Sequence, residues 1–93
     1  MVALESIIVR SEAVLDVSVD DETVLMSVAT GQYLTLKDTS QAIWIRIAQP
    51  ICVGDLCRDL AQLYRAPLEQ VQIDTLAFLN HLAAHDIVAQ RTA

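Results

Sequence analysis

The chain has 93 residues, of which 54% are hydrophobic and 19% are charged, so it is long enough for one compact domain and too apolar for a disordered segment. Its formal net charge is −6, Lys37 is its only lysine and its arginines are scattered among acidic residues, which argues against phosphate contacts and therefore against a nucleic-acid partner. No apolar run approaches the roughly 20 residues of a membrane span, and the first residues carry an acidic Glu5 without a basic start, so we expect a cytoplasmic protein without a membrane partner.

Ile7, Ile8 and Val9 stand out in a first segment, residues 1–12, that otherwise shows no clean periodicity. They fit either a short leading strand or a loosely docked arm. No linker, repeat or low-complexity tract interrupts the rest of the chain. A single domain is therefore expected over residues 1–93, with the first segment as the part that can form an arm.

Three strands are predicted next, over residues 13–19, 22–28 and 32–37. In the first, Leu15, Val17 and Val19 alternate with other positions, as a half-buried strand requires. Between the second and the third, Thr30 and Gly31 form a turn signal, because glycine supplies the positive φ that such a turn commonly needs. These runs predict a three-stranded antiparallel meander with one face that must be covered.

Three helices are predicted after these strands, over residues 39–48, residues 53–65, and from residue 67 to just before residue 86. Asp38 or Ser40 caps the first helix, Pro50 ends it, and Pro67 suits the first turn of the third and longest helix. The apolar positions of this third helix span an arc wider than one neighbour covers. Either the sheet and the second helix cover all of it, or one edge stays open as a groove.

The residues that most often carry chemistry do not form a recognisable site. Cys52 and Cys57 have a spacing that fits neither a redox pair nor a common zinc site, so we expect two small buried thiols. His81 and His85 share a helix face, but two ligands are insufficient for a metal, and both fall on the polar side near Asp74. The chain also lacks a nucleophile elbow, a phosphate loop and a dinucleotide-binding turn. We therefore expect no enzymatic activity, no metal and no cofactor.

Two aromatic residues are candidates for ligand contact. Trp44 shares a helical stripe with Ile43 and Ile47, and we expect it in the core because its large area is worth burying. Tyr33 faces away from the leucines of its own strand. It therefore either lies on the solvent side of the sheet or supports a binding surface.

Three short motifs carry a resemblance to a known family: Gly31-Gln32-Tyr33, Leu36 with Ile43-Trp44, and Phe78-Leu79 with Leu82. In this order they resemble the PqqD-like family of precursor-peptide recognition domains, over roughly residues 14–88. The resemblance implies an α+β, winged helix-turn-helix-like fold, with a three-stranded antiparallel sheet followed by three helices. Two departures are that the family often has a glycine near Asp86, where this chain has none, and that Cys52 is an atypical helix cap.

The chain is especially similar to the stand-alone leader-binding proteins of lasso-peptide pathways. The resemblance implies that it binds the leader segment of a ribosomally made precursor peptide by strand addition, and presents it to a separate leader peptidase, a cysteine protease, and to a cyclase as a further partner. The peptide would contact residues of the third strand and of the third helix: Gln32, Tyr33, Leu34, Thr35, Leu36 and Lys37, with Val71, Asp74, Thr75, Phe78 and Leu79.

Three other functions were weighed against this one. A winged-helix transcription regulator is favoured by topology, but the net charge of −6 opposes it. A PqqD-type chaperone in pyrroloquinoline quinone assembly belongs to the same class of peptide-binding proteins. An acyl-carrier-like protein would need a serine at a helix start in an all-helical chain, whereas Ser40 follows predicted strands.

Overall fold

The computed structural model describes residues 1–91 of the chain. The elements in this part are the strands β1 (Ile7–Arg10), β2 (Val14–Val19), β3 (Glu22–Ser27), β4 (Tyr33–Leu36), β5 (Ile51–Cys52) and β6 (Val88–Arg91) and the helices α1 (Asp38–Arg46), α2 (Val53–Tyr64) and α3 (Leu68–Ala84). The strands form two antiparallel three-stranded sheets, ordered β2-β3-β4 and β5-β1-β6. The predicted α+β class, with a three-stranded antiparallel sheet and three helices, is confirmed, whereas the second sheet was not predicted.

The hairpin between β3 and β4 depends on Gly31, whose φ of 72° lies in the left-handed region that favours glycine. The Gly31 N–H donates to the Ser27 carbonyl over 2.7 Å, and the Ser27 N–H donates to the Gln32 carbonyl over 2.9 Å. This turn sets the register in which Leu25 lies opposite Leu34. Because paired residues share one face of a sheet, both leucines point to the side that the helices cover.

The expectation that β2 is half-buried is wrong. Leu15, Val17 and Val19 are 55%, 60% and 52% exposed. Val17 pairs with Val24, on the face of the sheet opposite to the one that carries Leu25. The helices cover only the Leu25 face, so the alternation in β2 is real but its apolar side faces away from the core.

The N-terminal apolar run forms β1, which is the central strand of the second sheet and pairs with β5 and β6. Ile8 lies opposite Ile51 in one neighbour and Gln90 in the other, and its side chain is completely buried. The partners come from distant parts of the chain, so no local pattern in the sequence indicates this pairing. The second sheet therefore ties both ends of the described chain to the core.

The start of α2 is held by backbone groups of the N-terminal segment. Its N-cap residue, Cys52, makes no side-chain capping hydrogen bond. The Val53 N–H donates instead to the Ser6 carbonyl over 2.9 Å, and the Gly54 N–H donates to the Leu4 carbonyl over 2.8 Å. These carbonyls satisfy N–H groups that a helix terminus leaves free, which explains how α2 begins without a good cap.

Trp44 lies in the core, at 3% exposure, as expected. Its indole N–H donates to an Asp16 carboxylate oxygen over 3.2 Å, and the Arg10 guanidinium stacks over its ring at 4.2 Å and donates to its carbonyl. Burial lowers the pKa of Arg10, and the nearby Asp16 charge offsets part of this shift. Trp44 of α1 thus contacts Arg10 on β1 in one sheet and Asp16 on β2 in the other. This tryptophan therefore has a structural role.

The cap of α1 differs from the expectation that Asp38 or Ser40 stands at the N-cap. Lys37 occupies that position, and Asp38 is the first helical residue, with a φ of 52°. Ser40 accepts a hydrogen bond from the Lys37 N–H over 3.0 Å and donates one to the Lys37 carbonyl over 2.7 Å. Ser40 therefore contributes to the cap from within the first turn, and α1 follows β4 almost directly.

Candidate functional site

The free edge of β4 is the first part of the site. In the order β2-β3-β4, this strand pairs only with β3. Because the Ser27 N–H donates to the Gln32 carbonyl and an antiparallel ladder alternates, the backbone groups of Leu34 face β3, whereas those of Tyr33 and Thr35 point away. Within residues 1–91, no other backbone hydrogen bond takes up these outward groups. This edge is therefore open to pairing with another extended segment.

A cavity of about 450 Å³ lies between the start of β4 and the end of α3. It is lined by Ser27, Gly31, Gln32, Tyr33, Leu34, His81, His85 and Ile87. Both histidines are exposed, and their ring centroids are 4.8 Å apart in an edge-to-face arrangement. The histidine pair is thus solvated, as expected, but it also lines a cavity beside β4.

A second cavity, of about 200 Å³, lies between the first turn of α1 and the middle of α3. It is lined by Thr39, Ser40, Ile43, Asp74, Thr75 and Phe78. Asp74, Phe78, His81 and His85 follow one another at helical spacing, so the two cavities lie along one side of α3, about 10 Å apart at 1.5 Å per residue. We call the two cavities and the open edge of β4 the β4–α3 groove.

The predicted strand residues are placed as follows. Four of them are exposed, namely Gln32, Tyr33, Thr35 and Lys37. Leu34 is half-buried, and Leu36 lies in the core at 1% exposure. The Lys37 amino group lies 3.2 Å from the Glu22 carboxylate, across the neighbouring strand. The Leu36 side chain thus packs in the core, and the Lys37 side chain forms an ion pair. Neither side chain lines the two cavities.

The predicted helix residues divide in the same way. Asp74, Thr75 and Phe78 are brought together in the lining of the smaller cavity. Leu79 is completely buried in the core, and Val71 is half-buried against it. Asp74 is exposed at the rim, where it accepts a hydrogen bond from the Gln70 side chain over 3.0 Å. The role of these residues in binding stays a prediction.

Other lining residues were missed, and for several of them a signal was present in the sequence. The helical spacing that relates Asp74 to Phe78 continues to His81 and His85. Once the helix face of Phe78 is taken as the groove wall, both histidines follow. Ser27 carries no such signal, because its place beside the larger cavity depends on how the β3–β4 turn meets the end of α3.

Among residues 1–91, three residues with a hydroxyl group are buried, and they differ in whether the hydroxyl has a hydrogen-bond partner. The Thr23 hydroxyl accepts a hydrogen bond from the Gln41 amide over 3.1 Å. Thr75 acts on the Cys57 thiol and lowers its pKa, and its hydroxyl is not among the buried atoms without a partner. The Ser27 hydroxyl, at a residue that is 3% exposed, has no partner within residues 1–91. A buried hydroxyl without a partner lowers the stability of the fold by roughly 1–3 kcal/mol. The unpaired hydroxyl of Ser27, a residue that lines the larger cavity, therefore requires an explanation.

The surroundings of the Cys57 thiol hold it in a less reactive form. Cys52 and Cys57 are free thiols, and burial raises the pKa of Cys57, which keeps it in the less nucleophilic form. Within residues 1–91, no three metal-ligating side chains cluster. In the same part of the chain, each helix is too short or too polar to cross a bilayer.

Known proteins with a similar sequence or structure place this chain in a family. The family model described as coenzyme PQQ synthesis protein D (PqqD) matches residues 22–88, which is more than half of the chain. The solved structure of TbiB1 in complex with the TbiA(beta) leader peptide has a TM-score of 0.83 and 25% sequence identity, over 91% of this chain and 99% of that one. No curated protein matches the chain. The chain therefore belongs to the PqqD family.

Proposed function

We propose that this protein is a recognition element for ribosomally synthesised and post-translationally modified peptides, a RiPP recognition element. It binds the leader segment of the precursor peptide as an added strand on β4. The observation that carries the proposal is the open edge of β4 beside the two cavities along α3. Such an edge supplies main-chain hydrogen bonds, and the cavities supply sites for alternate side chains of the bound segment. The similarity to TbiB1, whose structure contains a leader peptide, supports this proposal.

The expected affinity follows from a few contacts. Each apolar anchor of the leader contributes about 1.5–3 kcal/mol when fully buried. Two anchors and a short backbone ladder are enough for a Kd of about 1 μM after the cost of ordering the peptide. Phe78, half-buried in the smaller cavity, offers the largest apolar contact on α3 in this groove.

The biological role that we propose is that of an adaptor without catalytic activity or cofactor. It would act in the cytoplasm in lasso-peptide biosynthesis, where it presents the bound precursor to a separate cysteine-protease leader peptidase and to a cyclase. Holding the leader raises the local concentration of the precursor at these enzymes. The contribution of this protein is thus binding, and the bond-breaking and bond-forming steps belong to the partners.

A second candidate is a PqqD-type chaperone in pyrroloquinoline quinone assembly, which the description of the matching family favours. It would use the same groove for a different precursor. A winged-helix transcription regulator receives less support, although we propose the winged-helix-like label for the fold. The longest helix, α3, contains no lysine or arginine, and it carries Glu69 and Asp74, which is unfavourable for contacts with phosphates.

The test is a fluorescence polarisation titration with a labelled leader peptide from the precursor encoded beside this gene. Phe78→Ala should weaken binding about tenfold, since it removes roughly 1.4 kcal/mol of apolar contact. Leu63→Ala is the matched control, because Leu63 is 52% exposed on α2 and does not line the groove. Equal affinities of Phe78→Ala and the wild type, with both proteins folded, would contradict the proposal. Tighter binding of the pyrroloquinoline quinone precursor would favour the second candidate.

A further inference from the structure

The larger cavity is lined by a serine with a buried hydroxyl, by apolar side chains and by more exposed polar residues. The Ser27 hydroxyl is buried and has no partner within residues 1–91. Leu34 is half-buried and Ile87 is 5% exposed, and both contribute to the lining. His81 and His85 are exposed and stand where the cavity meets solvent. A ligand group in this cavity therefore lies against apolar surface and beside a serine whose hydroxyl can donate or accept a hydrogen bond.

The smaller cavity offers no such group. Its buried residue with a hydroxyl, Thr75, is not among those left without a partner, and Ile43 and Phe78 supply apolar surface. The two cavities therefore differ in chemistry as well as in volume, at about 200 and about 450 Å³. Since buried polar groups in folded proteins are nearly always paired, the free hydroxyl of Ser27 indicates that its partner is supplied from outside the described chain.

We propose that Ser27 is a specificity-determining residue, which makes the larger cavity select a peptide side chain with an apolar body and a hydrogen-bonding tip. This inference rests on the proposed function, because the bound segment is taken to lie along β4. The body of the side chain contacts Leu34 and Ile87, and its tip pairs with the Ser27 hydroxyl. A purely apolar side chain of the same shape leaves that hydroxyl buried and unpaired, and therefore binds less tightly.

The first experiment uses two small molecules that differ by one hydroxyl group, benzyl alcohol and toluene, so it does not depend on knowing the leader. Binding is followed by NMR shifts of the amides around the larger cavity in the wild type, in Ser27→Ala and in Ser18→Ala. Ser18 is an exposed serine on β2 of the same sheet and serves as the matched control. Ser27→Ala removes an unpaired hydroxyl, so this variant is expected to fold as well as the wild type.

Benzyl alcohol should bind the wild type and Ser18→Ala about three- to tenfold more tightly than toluene, the range that one hydrogen bond provides. In Ser27→Ala this preference for benzyl alcohol should be lost, because its hydroxyl then enters the cavity without that partner. The same preference for benzyl alcohol in Ser27→Ala as in the wild type would overturn the proposal, and so would shifts confined to amides outside the cavity, because either result means that the hydroxyl pairs only with solvent.

The second experiment scans the labelled leader peptide with substitutions that remove one hydrogen-bonding group at nearly constant shape, such as Thr→Val, Tyr→Phe and Gln→Met. One such change should weaken binding to the wild type three- to tenfold and have no effect on binding to Ser27→Ala. If the leader binds but every change acts equally on both proteins, the role of Ser27 is refuted and the proposed function stands. If the leader does not bind the wild type, the proposed function fails, and the small-molecule result alone decides whether the cavity has this selectivity.

Discussion

The two outer strands of the meander, β2 and β4, both offer free backbone groups, but their surroundings differ. β4 lies beside the two cavities along α3, and its Leu36 is buried in the core. β2 is exposed along nearly its whole length, and Val17 at its middle is 60% exposed. The Val28 N–H donates to the Ala13 carbonyl, so by alternation the groups of Asp16 and Ser18 point away from β3.

Under the proposed function, this difference means that an open strand edge alone does not make a recognition site. Both edges supply main-chain hydrogen bonds to an added strand, and these bonds carry little sequence information. Within residues 1–91, the two cavities described above lie beside the β4 edge, and under the proposed function they receive side chains of the bound segment. Specificity should therefore reside on the β4 side, and comparisons between matched substitutions in the two strands test this conclusion.

The largest expected effect is on stability. Leu36→Ala, in β4, should lower the free energy of unfolding by about 2–5 kcal/mol, because it removes a side chain that is 1% exposed. Val17→Ala, in β2, should change it by less than about 0.5 kcal/mol, since that side chain lies on the uncovered face of the sheet. Urea unfolding of both variants measures the difference. Similar losses in the two strands would mean that β2 is covered in solution.

The next effect is on peptide binding. Thr35→Pro should weaken leader binding about 30-fold, or ~2 kcal/mol, because proline removes an outward-pointing N–H and places its ring in the path of the added strand. Ser18→Pro makes the same change at an outward-pointing N–H of β2, and it should leave the affinity unchanged. Proline is tolerated on the free side of an edge strand, so both variants should stay folded.

A polarisation titration, with circular dichroism as the check on folding, compares these two proline variants. An equal loss of affinity in both would mean that the leader does not use β4 in preference to β2. A loss in Ser18→Pro alone would move the site to the other edge of the sheet.

The smallest expected effect is on the pH dependence of stability, through the buried thiol of Cys57. Burial raises the pKa of its thiol above the ordinary value of 9.0. The folded protein therefore holds this proton more tightly than the unfolded chain does, so the stabilisation is complete below pH 9 and is lost as the pH rises toward the higher folded value. Urea unfolding between pH 8 and pH 10.5 should show a steeper loss of stability for the wild type than for Cys57→Ala. Parallel curves would contradict a raised pKa.

Much of the fold was predictable because its signals are local. The alternation of Leu34 with Leu36 predicted β4, and the glycine at position 31 predicted its turn. Pro50 marked the end of the first helix, and Pro67 marked the start of the third. The second sheet was missed because its strands are short and its pairs, such as Ile7 with Arg91, join distant parts of the chain. Such pairings depend on the packed domain and leave no periodic pattern in a single sequence.

The site was predictable only in part, for a related reason. Helical periodicity put Asp74 and Phe78 on one face of α3, and the structure places both at the smaller cavity. Helical periodicity could not show that Leu79 is completely buried, because the depth of a side chain depends on the angle at which the helix meets the sheet. The position of Ser27 at the larger cavity depends on that same angle, so no pattern of residues could predict it.

The most direct test of strand addition at β4 is amide hydrogen exchange followed by NMR, with and without the leader peptide. Strand addition at β4 predicts that the amides of Tyr33 and Thr35 exchange at least about tenfold more slowly in the complex, because each faces the added strand. The amides of Asp16 and Ser18, on the free edge of β2, should exchange at the same rate in both samples. Unchanged exchange at Tyr33 and Thr35 with the leader saturating, or slower exchange at Asp16 and Ser18 instead, would contradict it.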